Sequence, residues 1–339
     1  MERIDKQTRK GTLEEFVKAL PKTETHLHIE GALPYELLRE MDSERFPREP
    51  DFRRKGYKYK NFVDFENILL AHAAVWFTSP ERYHEACKRI FAGLQACNVK
   101  YVETSLHLAM TEFIGADGKE LIHAIKSAAP KGMEVRVIGG FLRNGYTDAM
   151  KPVIDNMHTW DELDGIDLHG QEWLELEDWT APVWKRCKDA GKIIKVHAGE
   201  FGGPDKIVEA IDLLGVERIQ HGVRSVEKTD LVKRIADLGI VLDVCPLSNE
   251  GLQVVPSLEE HPLKDLCDAG VICTINTDDP LCFANTIEDE YFAVGDRLGF
   301  SFEDIGQLAK NGFAYSTMEK SLINKYTSEI DSLVDAYKL

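Results

Sequence analysis

A chain of 339 residues that is 43% hydrophobic and 29% charged has the composition of a folded globular protein with a sizeable core, which excludes global disorder. Its formal net charge of −17 sets a negative field over the surface, which argues against nucleic acid and acidic membrane lipid as partners and for a small molecule. No run of about 18 apolar residues occurs, and the basic N-terminus MERIDKQTRKGTLEEF lacks the apolar stretch of a secretory signal, so the expected location is the cytoplasm.

Eight short β-rich runs recur along the chain, each closing on polar or glycine residues. In order they are residues 25–29 (THLHI), 100–106 (KYVETSL), 134–141 (EVRVIGGF), 163–168 (LDGIDL), 192–196 (KIIKV), 218–220 (RIQ), 240–244 (IVLDV) and 271–275 (VICTI). Between them, residues 81–96, 119–129, 180–190, 204–214, 228–238 and 261–269 carry apolar side chains three and four apart, the spacing of helices with one buried face. Strands alternating with such helices imply a parallel sheet with right-handed crossovers, and eight units close a barrel. The expected fold is therefore α/β, a (β/α)8 TIM barrel forming a single domain over residues 1–339.

Two regions exceed the repeat. Residues 35–92 separate the first two strands with more chain than one helix needs, and read as a helical insertion near the barrel mouth, with the potential of a lid. After the eighth strand, residues 302–313 and 316–336 keep helical periodicity and add C-terminal helices. The seven cysteines are scattered and never spaced C-x-x-C, so they read as reduced core residues rather than disulfides or zinc ligands.

In barrels of this kind chemistry sits where the strands end. The first run closes on His26, His28 and Glu30, which the two-residue period of a strand turns to one face. The fifth closes on His197 and Glu200, the sixth on His221, and the eighth on Asp278 and Asp279. Alone, each piece is weak: an H-x-H pair is more often accidental, His221 alone reads as a core histidine, and Asp278-Asp279 before Pro280 would suit a helix cap. Together at one mouth, three histidines and a carboxylate hold one divalent ion with acid and base groups beside it, and histidine with carboxylate favours zinc. His72, His84, His107, His123, His158 and His261 read as structural, while His169 at the end of the fourth run stays open.

The series THLHIEGALP, GIDLHG, HAGE, HGV, CPLSN and NTDDP, in this order over about residues 20–320, resembles the adenosine deaminase branch of the amidohydrolase superfamily. The resemblance implies one zinc ion per chain, held by His26, His28, His197 and Asp278. It places Glu200 at the purine N1 as proton donor and gives His221 the attacking water, with His221 and Asp278 orienting and accepting its proton. Gly170 would donate its backbone N–H to N3, Asp279 would contact N7, and Glu30, beside His28, would meet the far side of the substrate. Members acting on adenosine usually carry aspartate where this chain has Glu30. HGVR with Arg224, and CPLSN with Ser248 and Asn249, look like the adenine-acting group, whereas NTDDPLCF looks like the adenosine group. Deamination of adenosine or deoxyadenosine, the commoner activity of the family, is the leading expectation. Adenine, a 5′-substituted adenosine such as aminodeoxyfutalosine, and a silent nucleoside-binding member are the alternatives. A two-metal hydrolase would need a bridging lysine or glutamate where the chain has Asp167-Leu168-His169-Gly170.

Overall fold

The computed structural model describes residues 11–338, so the first ten residues of the basic N-terminal stretch lie outside the described residues. Each of the eight β-rich runs contains a strand: β1 Lys22–His28, β2 Val99–His107, β3 Glu134–Leu142, β4 Gly165–His169, β5 Ile193–Ala198, β6 Arg218–His221, β7 Val241–Val244 and β8 Ile272–Ile275. They pair in parallel in sequence order, as right-handed βαβ units require. The barrel is a (β/α)8 TIM barrel.

Between the strands run the helices of the outer ring. Pro80–Ala96 has Ser79 as its cap, with the serine hydroxyl accepting from Arg82 N, and buries Tyr83, Ala86, Cys87, Ile90, Phe91 and Leu94 on one face. That helix leads into β2 and packs on the ring helix Gly118–Lys126, so the last part of the 35–92 stretch belongs to the ring. The remainder of that stretch holds the helices Tyr35–Met41 and Phe62–Trp76. Phe65 stacks on Phe283 at 5.6 Å, and the Tyr59 hydroxyl donates to Cys282 O at 3.0 Å, which fastens the segment to the chain just past β8. Residues 204–214 begin as the helix Pro204–Glu209 and widen into a looser turn over Ala210–Leu214. The helices Phe302–Ala314 and Lys320–Lys338 follow β8, and no helix among the described residues is long and apolar enough to cross a membrane.

Closure of the barrel is made by side chains as well as backbone. Thr25 N donates to Asn276 Oδ1 at 2.7 Å, and above it Asp278 N donates to His26 O at 3.0 Å while His28 N donates to Asp278 O at 3.1 Å. The first strand thus meets the exit of the eighth through the residues singled out as metal ligands. β1 also departs from simple alternation, because its register with β2 shifts between Glu24 and Leu27, and Glu30 lies in the turn beyond the strand.

Below the mouth the barrel interior is charged rather than aliphatic. Glu103 of β2, Lys195 of β5, Arg218 of β6 and Asp243 of β7 are all buried. Arg218 spans both carboxylates, at 2.8 and 2.9 Å to Glu103 and the same to Asp243, and Lys195 Nζ lies 2.5 Å from Glu103. Two acids and two bases balance, and the Tyr101 and Thr25 hydroxyls donate to Glu103 Oε1 and Asp243 Oδ1, oxygens that also accept from Arg218. Burial alone would raise the Glu103 carboxyl, but Arg218 and Lys195 hold it below the usual range. Removing one partner strands the others in a water-free interior, so Glu103→Leu is expected to cost about 3–5 kcal/mol of stability, read as a shift of the urea midpoint. Because the folded carboxyl is depressed, the network's contribution is present above the usual carboxylate range and fades as pH falls below it. An unchanged midpoint at neutral pH would show that the network relaxes around the gap.

Candidate active site

The mouth of the barrel is built on strand ends whose backbone is held in uncommon conformations. His221 and Asp278, neither of them glycine, have φ of 63° and 64°, a strained region that other contacts must enforce. For Asp278 the β1–β8 closure supplies those contacts.

His26 Nδ1 lies 2.9 Å from Asp243 O. A carbonyl only accepts, so Nδ1 carries the proton and the Nε2 lone pair is free. His197 Nδ1 is met in the same way by the Asp167 carboxylate at 3.0 Å. The consequence is a crowd of acceptors: His197 Nε2 is 3.1 Å from His26 Nε2 and 3.2 Å from His28 Nε2, and Asp278 Oδ1 is 3.4 Å from the Nε2 of both His26 and His28. Burial and the neighbouring imidazoles drive His26 well below its ordinary pKa, whereas at His197 burial acts the same way but is outweighed by Asp167, which raises its pKa. Burial would raise the Asp278 carboxyl, but His221 and His28 hold it low and ionised. The donor set fits a divalent ion. Three imidazole nitrogens and a carboxylate oxygen, all within 4.8 Å of one another, are the donor types that would hold zinc.

Beside this cluster stand the acid and base groups. Glu200 Oε1 is 3.4 Å from His221 Nε2, and burial, followed by the charges of Asp278, Glu172 and Asp279, pushes its pKa well up, toward the protonated form. Asp279 is raised by burial and by Asp278, and its buried Oδ1 has no hydrogen-bond partner among the described residues. A Cβ on Gly31 would fall 1.5 Å from that oxygen, so the glycine after Glu30 makes room for Asp279. Gly170 has φ of 84°. Glu30 Oε1 accepts from the Tyr83 hydroxyl at 2.7 Å and from His107 N at 3.3 Å, and burial lifts its carboxyl to about 7.

His28, Glu30, Gly170, His197, Glu200, His221, Asp278 and Asp279 line one cavity of about 200 Å³, and His26 sits behind it as a buried ligand. Its opposite wall is apolar, with Phe62, Phe65 and Leu69 from the mouth helix, Leu142 from the end of β3, and Met110 and Leu252 from the chain beyond β2 and β7. All the singled-out residues are therefore brought together. Others were not anticipated. His107, read as structural, lines the cavity with its Nδ1 3.0 Å from His169 Nε2, and His169 stacks on His28 at 5.4 Å. Glu172 accepts from Glu200 N at 3.1 Å and from Gly202 N, fixing the loop of the acid. Asp167 lies two residues before His169 on β4, so the period of two would have turned it inward.

The family model described as adenosine deaminase matches residues 21–333. An adenine deaminase of Streptomyces coelicolor is 33% identical over 325 residues, 92% of this chain and 95% of its own. One of Caulobacter vibrioides is 34% identical over 312 residues, 89% and 90% of the two chains. Among solved structures, an adenine deaminase from Arthrobacter aurescens superposes with a TM-score of 0.83 at 28% identity, over 93% of this chain and 99% of that one.

Asp278→Ala is expected to purify without stoichiometric metal, because it removes the only charged ligand of the cluster. Asp167→Asn should bind zinc about 10- to 100-fold more weakly in chelator competition, since the His197 tautomer loses its anchor. Stoichiometric zinc in Asp278→Ala would break the ligand assignment.

Proposed function

Because this chain belongs to the adenosine deaminase family, we propose that it is a zinc-dependent hydrolase that removes the 6-amino group of a purine, with adenine rather than adenosine as its substrate. The curated relatives named above are adenine deaminases, which favours the alternative over the leading expectation from sequence. The observation that carries the choice is the closed end of the cavity. Glu30 is held there by Tyr83 and His107, and the cavity of about 200 Å³ lies below the roughly 300–1,000 Å³ of pockets for larger ligands. A bare base fits that space and offers an N9–H to the Glu30 carboxylate, whereas a nucleoside has no hydrogen on N9.

Held by His26, His28, His197 and Asp278, the ion supplies Lewis-acid activation of water at neutral pH. The protein does the rest. Gly170 presents its N–H to N3, and Asp279, kept protonated by burial, donates to N7; a carboxylate would have no hydrogen to give. As water adds at C6, electron density moves to N1, and protonated Glu200 delivers its proton there. Asp278 accepts one proton of the water and passes it to the amino group, which departs as ammonia. The second proton of the added oxygen returns to the Glu200 carboxylate, leaving the 6-oxopurine protonated at N1 and the enzyme as it began. The apolar wall from Phe62, Phe65 and Leu69 keeps bulk water away from these transfers.

Ammonia release from adenine is expected to exceed that from adenosine by at least about 10²-fold in kcat/KM, because the nucleoside leaves the buried Glu30 without its donor. Adenosine preferred over adenine would reverse the substrate choice and leave the chemistry standing. Glu200→Gln should keep its metal yet lose several orders of magnitude in kcat. In the wild type the rate should fall as pH rises through the raised Glu200 pKa, since the acid must carry its proton; a limb that persists in the Gln variant would assign it elsewhere.

A further inference from the structure

His261, on the loop between β7 and β8, has no place in the reaction described above, yet a line of hydrogen bonds runs from it to His221. The backbone N–H of Leu263 donates to His261 Nδ1 at 3.1 Å. A peptide N–H can only donate, so that nitrogen is an acceptor and carries no proton. The ring is buried, and burial pushes its pKa down to about 3, so it is neutral with its single proton on Nε2. His261 Nε2 faces Asn249 Oδ1 at 3.1 Å. The orientation of the amide follows: turning it over would set the Asn249 NH2 against the His261 N–H, donor against donor. Asn249 therefore offers Nδ2 to His221 Nδ1 at 3.1 Å, and His221 Nδ1 accepts. The proton of neutral His221 is left on Nε2, the atom 3.4 Å from Glu200 Oε1 and 3.8 Å from Asp278 Oδ2.

We infer that Asn249 and His261 are positioning residues that lock the proton of His221 on Nε2, so that His221 donates a hydrogen bond to the oxygen adding at the purine and Asp278 alone accepts the water's proton. This deepens the proposed deamination and rests on it, and it removes from His221 the share in proton acceptance that the family resemblance implied. The relay is anchored at both ends by backbone. Leu263 N is its source, and at the other end stands His221, the last residue of β6, with a left-handed φ. Asn249, fully buried, is itself held by its own N–H to Cys245 O and by Val254 N to its carbonyl.

The test is long-range ¹H–¹⁵N NMR of ¹⁵N-histidine-labelled full-length protein, with and without zinc, the His221 signals being assigned by their loss in His221→Gln. The wild type should show the Nε2–H tautomer in both states. Asn249→Asp places an acceptor against Nδ1 and should move the proton there, lowering kcat by about 10²- to 10⁴-fold with KM and zinc content changed only a few-fold. His261→Leu, which cuts the relay further from the site, should lower kcat in the same way, and His261→Gln, whose amide offers both an acceptor and a donor, should recover at least about tenfold of that loss. An Nδ1–H tautomer in the wild type, or wild-type kcat in both Asn249→Asp and His261→Leu, overturns the inference. Failure of the deaminase reading is separate: it would appear as no ammonia from any aminopurine, with the tautomer still readable.

Discussion

Three imidazole lone pairs and a carboxylate, directed at one point from 3.1 to 3.4 Å apart, repel one another unless a cation lies between them. Much of the upper barrel serves to hold that arrangement. Asp243 O and the Asp167 carboxylate fix the tautomers of His26 and His197, the uncommon backbone of Asp278 aims its carboxylate, and the paired charges below keep the strands that carry the ligands from collapsing inward. Strands separated widely in sequence contribute to each of these tasks. No single segment could form the site alone.

The same crowding separates the roles of neighbouring carboxylates. Asp278 and Asp279 are adjacent, yet the imidazoles push the pKa of the first down while burial and the charge of the first push that of the second up. Glu200 is raised for a similar reason, by burial and then by Asp278 and Glu172. Environments that push apart the pKa values of like groups are how one site keeps acids and bases side by side.

The strands and their ends were legible because a buried parallel strand announces itself as a short apolar run, and because polar residues at its exit have few structural reasons to be there. The candidate ligands lie among those strand-end residues, and which of them would hold an ion came from the family resemblance. What was not legible depends on who sits opposite whom. Lys195 in KIIKV and Glu103 in KYVETSL look like interruptions of a strand, and only the closed barrel brings them together with Arg218 and Asp243. Tyr83 sits on a ring helix with the spacing of a core residue, and its hydroxyl meets Glu30 only in the folded chain. Asn249 sits on the short helix Pro246–Gly251 and His261 just before the helix Leu263–Asp268, and nothing in their spacing of twelve residues shows that the two side chains meet. The substrate was legible only as far as the purine, since the contacts of Glu30 with Tyr83 and His107 form only in the folded chain.

The joint between the first strand and the exit of the eighth has a consequence for how the protein is made. Thr25 and Asn276, which meet there, are 251 residues apart, and Asp278 is both the last ligand to be synthesised and the residue whose backbone shuts the sheet. A growing chain emerging from the ribosome therefore holds two histidines early and a third much later, but no complete cage until nearly the whole barrel has been exported. Capture of the ion is thus placed at the end of folding, and a half-made chain offers only a loose, low-affinity set of imidazoles.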